Sequence, residues 1–262
     1  MQQPSDLLAQ LYPIAGKTVV VTGAASGIGK AAADMFCQLG AATYYLDANE
    51  SQNAAAALEA GGEATALPVD LADFAAVEDT FERIEARSGC IDILVNSAAL
   101  NRSSPSVDQD MDLWRKVLDV NLGAVFLASR LAARSLIRAG RAGSIVNVAS
   151  VGGLSAATTG RGNPNPSYRA SKGGVVNLTR ALAIEWAGYG IRVNGVAPGY
   201  VRTPMIDRLA NDPKRVAETE AKVPLGRIAE PAEIASVIAF LASEGASMIT
   251  GQTLVVDGGL LA

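Results

Sequence analysis

The chain of 262 residues contains no histidine. That counts against imidazole acid/base chemistry and against most zinc sites. Any proton exchange must use another group, and the run "SYRASKGG" offers one. Tyr168 and Lys172 lie four residues apart on a predicted helix, Ser167 to Ala187. Residues i and i+4 share a helix face, so phenol and ammonium can enter one pocket. A neighbouring cation favours the phenolate. Bringing a phenol from about 10 to about 7 takes ~4 kcal/mol. One screened charge falls short of that, and an oxidised nicotinamide nearby would add a second. Taken alone, the pair fits a solvated surface pair more readily. Two polar residues extend the set. Ser150 follows a predicted strand, at the end where open α/β sheets form their ligand crevice, and could hydrogen-bond a substrate oxygen. Asn121, in "DVNLG", interrupts an apolar helical stretch, and alone it also fits a buried group satisfying backbone.

A second cluster lies near the start, in "TGAASGIGKA", Thr22 to Ala31. Gly23, Gly27 and Gly29 suit a close approach to phosphate. A triphosphate-binding loop needs G-x-x-x-x-G-K followed by Ser or Thr. Here Ala24 holds the first glycine position and Ala31 the Mg²⁺-binding hydroxyl position, so that reading fails. A strand ending at Thr22 and a helix beginning after the glycines instead place a pyrophosphate on a helix N-terminus, where free N–H groups favour negative charge. The spacing is G-x-x-x-G-x-G rather than the usual G-x-G-x-x-G, and structural turn glycines would also fit. Asp47 ends the second predicted strand, eighteen residues after Gly29. A carboxylate there can accept from the adenosine ribose hydroxyls. It would repel a 2′-phosphate, and Ala25, Ala48 and Asn49 offer no compensating charge, so NAD is expected over NADP. As a lone residue Asp47 could equally cap a helix.

Seven short apolar runs would position these groups: Lys17 to Thr22, Ala42 to Leu46, Ala64 to Val69, Ile91 to Asn96, Gly143 to Ala149, Ile191 to Ala197 and Thr253 to Asp257. Most are near-continuous, as strands buried on both faces should be. Helical stretches lie between them: Gly27 to Leu39, Ser51 to Ala60, Phe74 to Arg87, Met111 to Arg138, Ser167 to Ala187 and Pro231 to Ser243. This alternation predicts one α/β domain over residues 1–262, a doubly wound parallel sheet of about seven strands with helices on both faces and right-handed crossovers. Residues 1–15 form an N-terminal extension. Two stretches break the rhythm. Ser155 to Ser167 is rich in Gly, Pro and Asn and reads as a loop. Thr203 to Arg227 is a charged insertion, either a lid over the site or a surface excursion.

Composition narrows the partners. The chain is 49% hydrophobic and 18% charged, with net charge −4 and no long basic patch, so nucleic acid is not an expected partner. Cys37 and Cys90 are distant and form no CxxC pair, which reads as two reduced residues. The first residues lack the basic-then-apolar pattern of a signal peptide, and no apolar run looks long enough to span a bilayer. No membrane partner and a cytoplasmic location are expected.

Taken together, "TGAASGIG", "VDLAD", "ILVNSAA", "DVNLG", "IVNVAS", "YRASK" and "APGYVRTPM" resemble the classical short-chain dehydrogenase/reductase family, in order and from about Lys17 to Gly259. The family also uses this glycine spacing. The resemblance implies a Rossmann-type NAD-binding catalytic domain that interconverts a secondary alcohol and a ketone. It implies that Tyr168 exchanges the proton, that Lys172 lowers its pKa and binds the nicotinamide ribose, and that Ser150 polarises the substrate oxygen. Asn121 would hold a water relaying protons from Lys172. Cofactor contacts would come from Gly23, Ser26, Gly27, Ile28, Gly29 and Asp47 in the first half-site. Asp70 and Leu71 would flank the adenine, and Asn96 and Ala98 would contact the adenosine side. Beyond Pro198 and Gly199, Val201 and Thr203 would hold the nicotinamide amide and phosphate. Asn101, Leu154, Tyr200 and Met205 are candidate substrate contacts. The sequence is closest in feel to polyol and sugar-acid dehydrogenases. Fatty-acid ketoacyl reductases, which usually take NADP, are the runner-up, with hydrophobic or steroid ketone reductases and a non-catalytic NAD-binding scaffold as further alternatives. The resemblance also suggests a homotetramer. Two departures stand out. Ala99 occupies a usual glycine position, and Ser150 and Tyr168 are eighteen residues apart, several more than usual.

Overall fold

Successive residues of a strand face opposite sides, and here both sides are apolar. Val19 and Val21 pack with one core cluster and Val20 with the other. All are fully buried, as a strand covered on both faces requires. The computed structural model describes residues 12–103, 105–156, 165–206 and 212–262.

In chain order the strands are β1 (Thr18–Thr22), β2 (Ala42–Asp47), β3 (Ala64–Pro68), β4 (Ile93–Asn96), β5 (Gly143–Val148), β6 (Ile191–Pro198) and β7 (Thr253–Val256). They form one sheet in the order β3-β2-β1-β4-β5-β6-β7, and every pair is parallel. The helices are α1 (Gly27–Gln38), α2 (Glu50–Ala60), α3 (Phe74–Ser88), α4 (Met111–Leu118), α5 (Ala124–Ala139), α6 (Pro166–Trp186), α7 (Pro213–Glu220) and α8 (Pro231–Ala242). Phe36 of α1, Ala56 and Ala57 of α2 and Ile234, Ile238 and Leu241 of α8 cover one face. Phe81 and Ile84 of α3, Leu127, Leu131 and Leu136 of α5 and Leu182 and Trp186 of α6 cover the other. This is the doubly wound Rossmann-type sheet expected from the alternating runs. Its strand order reverses between β1 and β4, and a crevice opens beyond the strand C-termini at that point.

Three features differ from expectation. The stretch Met111 to Arg138 is not one regular helix: a π turn at Asp119–Gly123 joins α4 to α5. Such turns break the i→i+4 ladder locally and often occur at functional sites. The joined run Met111–Ala139 is long and apolar enough to cross a membrane, contrary to the sequence expectation, but 67% of its apolar window is buried inside the fold, as in a core helix. Third, the charged insertion contains α7, capped by the Asp212 carboxylate, which accepts from Lys214 N and Arg215 N, with Pro213 in its first turn. Residues 1–11 of the N-terminal extension, residues 157–164 of the Gly/Pro/Asn loop and residues 207–211 of the insertion lie outside the described residues.

Candidate active site

The turn between β1 and α1 is shaped by what its glycines must avoid. A Cβ on Gly29 would lie 2.1 Å from the Gly23 carbonyl oxygen, and Gly23 combines φ +68° with a Cβ position 2.7 Å from Ala98 Cα. No side chain fits at either position. The turn is tied back by Gly23 N and Ala24 N, which donate to Leu46 O, and by Ala25 N, which donates to Asp47 Oδ2 at 3.2 Å. Asp47 Oδ1 accepts from Asn49 N at 2.9 Å. Ser26 precedes α1 in extended conformation without a side-chain cap. The first N–H groups of α1 therefore open toward the crevice, the arrangement that binds anions. Lys30 points elsewhere, pairing with Asp34 at 2.8 Å and Glu59 at 3.3 Å.

These groups line one cavity of about 440 Å³. Its walls include Gly23, Ser26, Gly27, Ile28, Gly29, Asp47, Asp70, Leu71, Ala98, Tyr168, Lys172, Pro198, Gly199, Val201 and Thr203, together with Ser150 and Met205. Thr203, Pro204, Met205 and Ile206 bring the start of the insertion to its edge. Arg202 braces the insertion's stem, pairing with Glu220 and Glu230 at 3.0 Å each. Ala99 also lines the cavity, as do Lys116 in the last turn of α4 and Val120 in the π turn, both missed from the sequence. Lys116 and Val120 stand four residues apart, one helical turn, which is the sequence signal that places them on one face.

Several expected contacts lie elsewhere. Asn96 is 2% exposed and does not line the cavity. Its Nδ2 donates to Ser129 Oγ at 3.0 Å and Asn147 Oδ1 at 2.8 Å, and Asn147 Nδ2 donates to Thr179 Oγ1. Asn96 therefore belongs to a buried polar ladder that joins β4 and β5 to α5 and α6. Asn101, Leu154 and Tyr200 do not line the cavity either. Asn101 Oδ1 instead accepts from Asn165 Nδ2 at 3.2 Å, Leu154 is 40% exposed, and Tyr200 sits half-buried with its carbonyl accepting from Ala229 N. Asn121 is fully buried. Its Nδ2 donates to Leu100 O at 2.9 Å and Ser171 Oγ at 3.1 Å, while Oδ1 accepts from Leu100 N at 2.7 Å. Both amide hydrogens are committed to fixing the π turn against the β4 loop and α6. A relay water on the side-chain amide could reach only Oδ1, which already accepts one bond.

The reactive groups meet at the C-terminal end of β5. Ser150 Oγ accepts from Gly152 N at 3.0 Å. Lys172 is 1% exposed, its Nζ donates to Val148 O at 2.6 Å, and Nζ stands 5.9 Å from the Tyr168 ring centroid. Burial pulls the Lys172 pKa down to about 8. Burial also raises the Tyr168 phenol above its ordinary value, while hydrogen bonding to Ser150 and the charge of Arg169 act in the opposite direction. Desolvation thus outweighs the Ser150 hydrogen bond and the Arg169 charge together. A hydroxyl, a phenol and an ammonium face a cavity whose other end has a glycine cradle, an open helix N-terminus and a carboxylate. That combination can hold a dinucleotide and move a proton at its far end. No group of His, Cys, Asp and Glu able to hold a metal occurs among the described residues.

A family model described as enoyl-(acyl carrier protein) reductase matches residues 23–261. Among curated relatives, a 3-oxoacyl-(acyl-carrier-protein) reductase from Thermotoga maritima is 39% identical over 251 residues, covering 94% of this chain and 98% of the relative. A D-threitol dehydrogenase from Mycolicibacterium smegmatis is 39% identical over 263 residues, covering 99% and 98%. A solved structure described as a putative NAD(P) dependent gluconate 5-dehydrogenase from Beutenbergia cavernae, with bound NADP, superposes with TM-score 0.86 at 40% identity, covering 94% and 97%.

Proposed function

The chain belongs to the short-chain dehydrogenase/reductase family, and from that premise we propose that it moves hydride between NAD(H) and a polyol, sugar or sugar acid. It is an NAD(P)-dependent oxidoreductase that interconverts secondary alcohols and ketones. The observation that carries the finer reading is the single cavity that joins Ser150, Tyr168 and Lys172 to Asp47 and the Gly23–Gly29 turn. The polyol and sugar-acid names among the relatives support the substrate class.

The residues present fit a dinucleotide. The site between Gly23 and Gly29 admits no Cβ, so backbone can approach a pyrophosphate there, and the α1 N-terminus favours its charge. Bound NAD⁺ supplies a hydride acceptor and a positive charge at the nicotinamide. Tyr168 then takes the hydroxyl proton during alcohol oxidation and returns it during ketone reduction. Ser150 Oγ holds the substrate oxygen beside the phenol. Lys172 would hold the nicotinamide ribose, and its ammonium stands 5.9 Å from the Tyr168 ring centroid. Asn121 holds the π turn that keeps the β4 loop against α6. Asp47 would accept from the adenosine ribose, and its negative charge, with Lys30 already paired, favours NAD over NADP. The insertion from Thr203 to Arg227 acts as the substrate lid on a single catalytic domain. A homotetramer in the cytoplasm, with Cys37 and Cys90 free, belongs to the same reading.

The test is a screen of absorbance change at 340 nm across polyols, sugar acids and cyclic alcohols with NAD⁺ and NADP⁺, and with acetoacetyl-CoA and NADPH for reduction. The reading predicts turnover of at least one polyol or sugar acid with kcat/KM about tenfold higher for NAD⁺, a difference of ~1.4 kcal/mol. Turnover confined to acetoacetyl-CoA with NADPH would replace it with the ketoacyl reductase reading favoured by the Thermotoga relative.

A further inference from the structure

Arg169 follows the phenol directly in sequence, yet nothing in the mechanism uses it. Its Nε donates to Asn165 Oδ1 at 3.0 Å and its Nη1 to Ser155 O at 2.9 Å. Asn165 is 5% exposed and in turn donates to Asn101 Oδ1. One guanidinium therefore links the first turn of α6, the segment after β5 and, through Asn165, the segment after β4. Its position relative to the reactive groups is narrow. A methyl placed on Gly152 would lie 3.4 Å from Ser150 Oγ, 3.8 Å from Arg169 Cγ and 4.0 Å from Arg169 Nη1. The Arg169 side chain and the Ser150 hydroxyl thus border the same spot beside Gly152, and Ser150 hydrogen-bonds the phenol.

We propose that Arg169 is a positioning residue of this site: pinned to Ser155 and Asn165, its guanidinium holds a permanent positive charge beside the Ser150–Tyr168 pair and favours the phenolate form of Tyr168. The proposal rests on the reading of Tyr168 as the proton-exchanging group. It explains a gap left by Lys172. That ammonium is buried and loses its proton at about pH 8, within the range where alcohol oxidation is driven forward by proton release. A guanidinium keeps its charge throughout that range. The groups that face the phenol are Ser150, Lys172 and Arg169, and the half-buried phenol of Tyr200 also feels the Arg169 charge. Among the described residues no carboxylate bears on Tyr168. Arg169 also holds both flanks of the long Ser150–Tyr168 connection, Ser155 on one side and Asn165 on the other. This ties the charge to the extra length that sets the chain apart.

The test is titration of Tyr168 by NMR in protein labelled with ¹³C at tyrosine Cζ, with Tyr168→Phe identifying the resonance. Arg169→Gln keeps hydrogen-bonding capacity and removes the charge. Its Tyr168 midpoint should rise by about one pH unit, the size expected of a single charge across a partly solvated site. Arg169→Lys keeps the charge and loses the fork, and should titrate within about half a pH unit of wild type. The basic limb of the kcat/KM profile should move in parallel. An unmoved midpoint in Arg169→Gln would overturn the proposal. So would a rise of about one pH unit in Arg169→Lys, which would assign the effect to lost hydrogen bonds; that outcome is read against wild type and stands even if Arg169→Gln does not fold. Turnover is not needed for this readout. Absence of activity on every alcohol would strike the acid/base reading of Tyr168 and leave the titration interpretable, whereas an unmoved midpoint would strike Arg169 alone.

Discussion

Replacing Lys172 by methionine should make the protein more stable and less active, and the gain should depend on pH in a defined way. Lys172 is 1% exposed, and burial lowers its pKa from 10.5 to about 8. That fall corresponds to about 3 kcal/mol against the charged form. Methionine keeps the length and apolar stem of the side chain. It loses the Nζ bond to Val148 O, worth about 1 kcal/mol net. The balance at pH 7 is a gain of about 2 kcal/mol, which for a chain of this size raises Tm by about 4–6 °C. The folded pKa lies below the unfolded one, so the unfolded state binds more protons between pH 8 and 10.5. The cost of burying Lys172 is therefore complete below pH 8 and fades as pH rises to 10.5. The advantage of Lys172→Met should shrink across that window and vanish near pH 10. Thermal unfolding by circular dichroism without added cofactor, at pH 7 and pH 10, measures both points. A lower Tm at pH 7, or the same difference at both pH values, would refute the reasoning.

Two further substitutions probe the cofactor end. Gly29→Ala puts a Cβ 2.1 Å from the Gly23 carbonyl oxygen, so NADH affinity measured by fluorescence should fall at least about tenfold, which corresponds to ~1.4 kcal/mol; wild-type affinity would show that the turn relaxes freely. Asp47→Ala removes the carboxylate that accepts from Ala25 N and Asn49 N. The ratio of kcat/KM for NAD⁺ to that for NADP⁺ should drop by about tenfold, again ~1.4 kcal/mol, and an unchanged ratio would show that Asp47 does not select the cofactor.

The parts of the fold legible in the sequence are those whose physics is written locally. Runs such as Val19 to Val21 must be apolar on both faces, and the crevice glycines must be glycine because their Cβ positions are already filled. The positions of Asp47, Ser150, Tyr168 and Lys172 follow from strand ends and one helix turn. What escaped depends on longer-range geometry. Helix α7 buries only Thr219, so it carries no apolar period, and only its Asp212–Pro213 start could have marked it. The π turn at Asp119–Gly123 changes the ladder without changing the composition. The side-chain direction of Asn96 escaped because a strand end alone does not say which face the side chain takes. Parity with Leu94, which packs under α5 and α6, would have sent it into the core. Asn101 and Arg169 are joined through Asn165, a contact between three segments that no spacing rule encodes.

The central claim is that Tyr168 exchanges the proton at this site. The most direct measurement is steady-state turnover at 340 nm for Tyr168→Phe beside wild type, on the best alcohol from the screen, with NADH binding followed by fluorescence. Removing a general acid/base costs about 10²–10⁴-fold. The account predicts a loss of that size in kcat with NADH affinity kept. Wild-type turnover by a Tyr168→Phe protein that still binds NADH would contradict it.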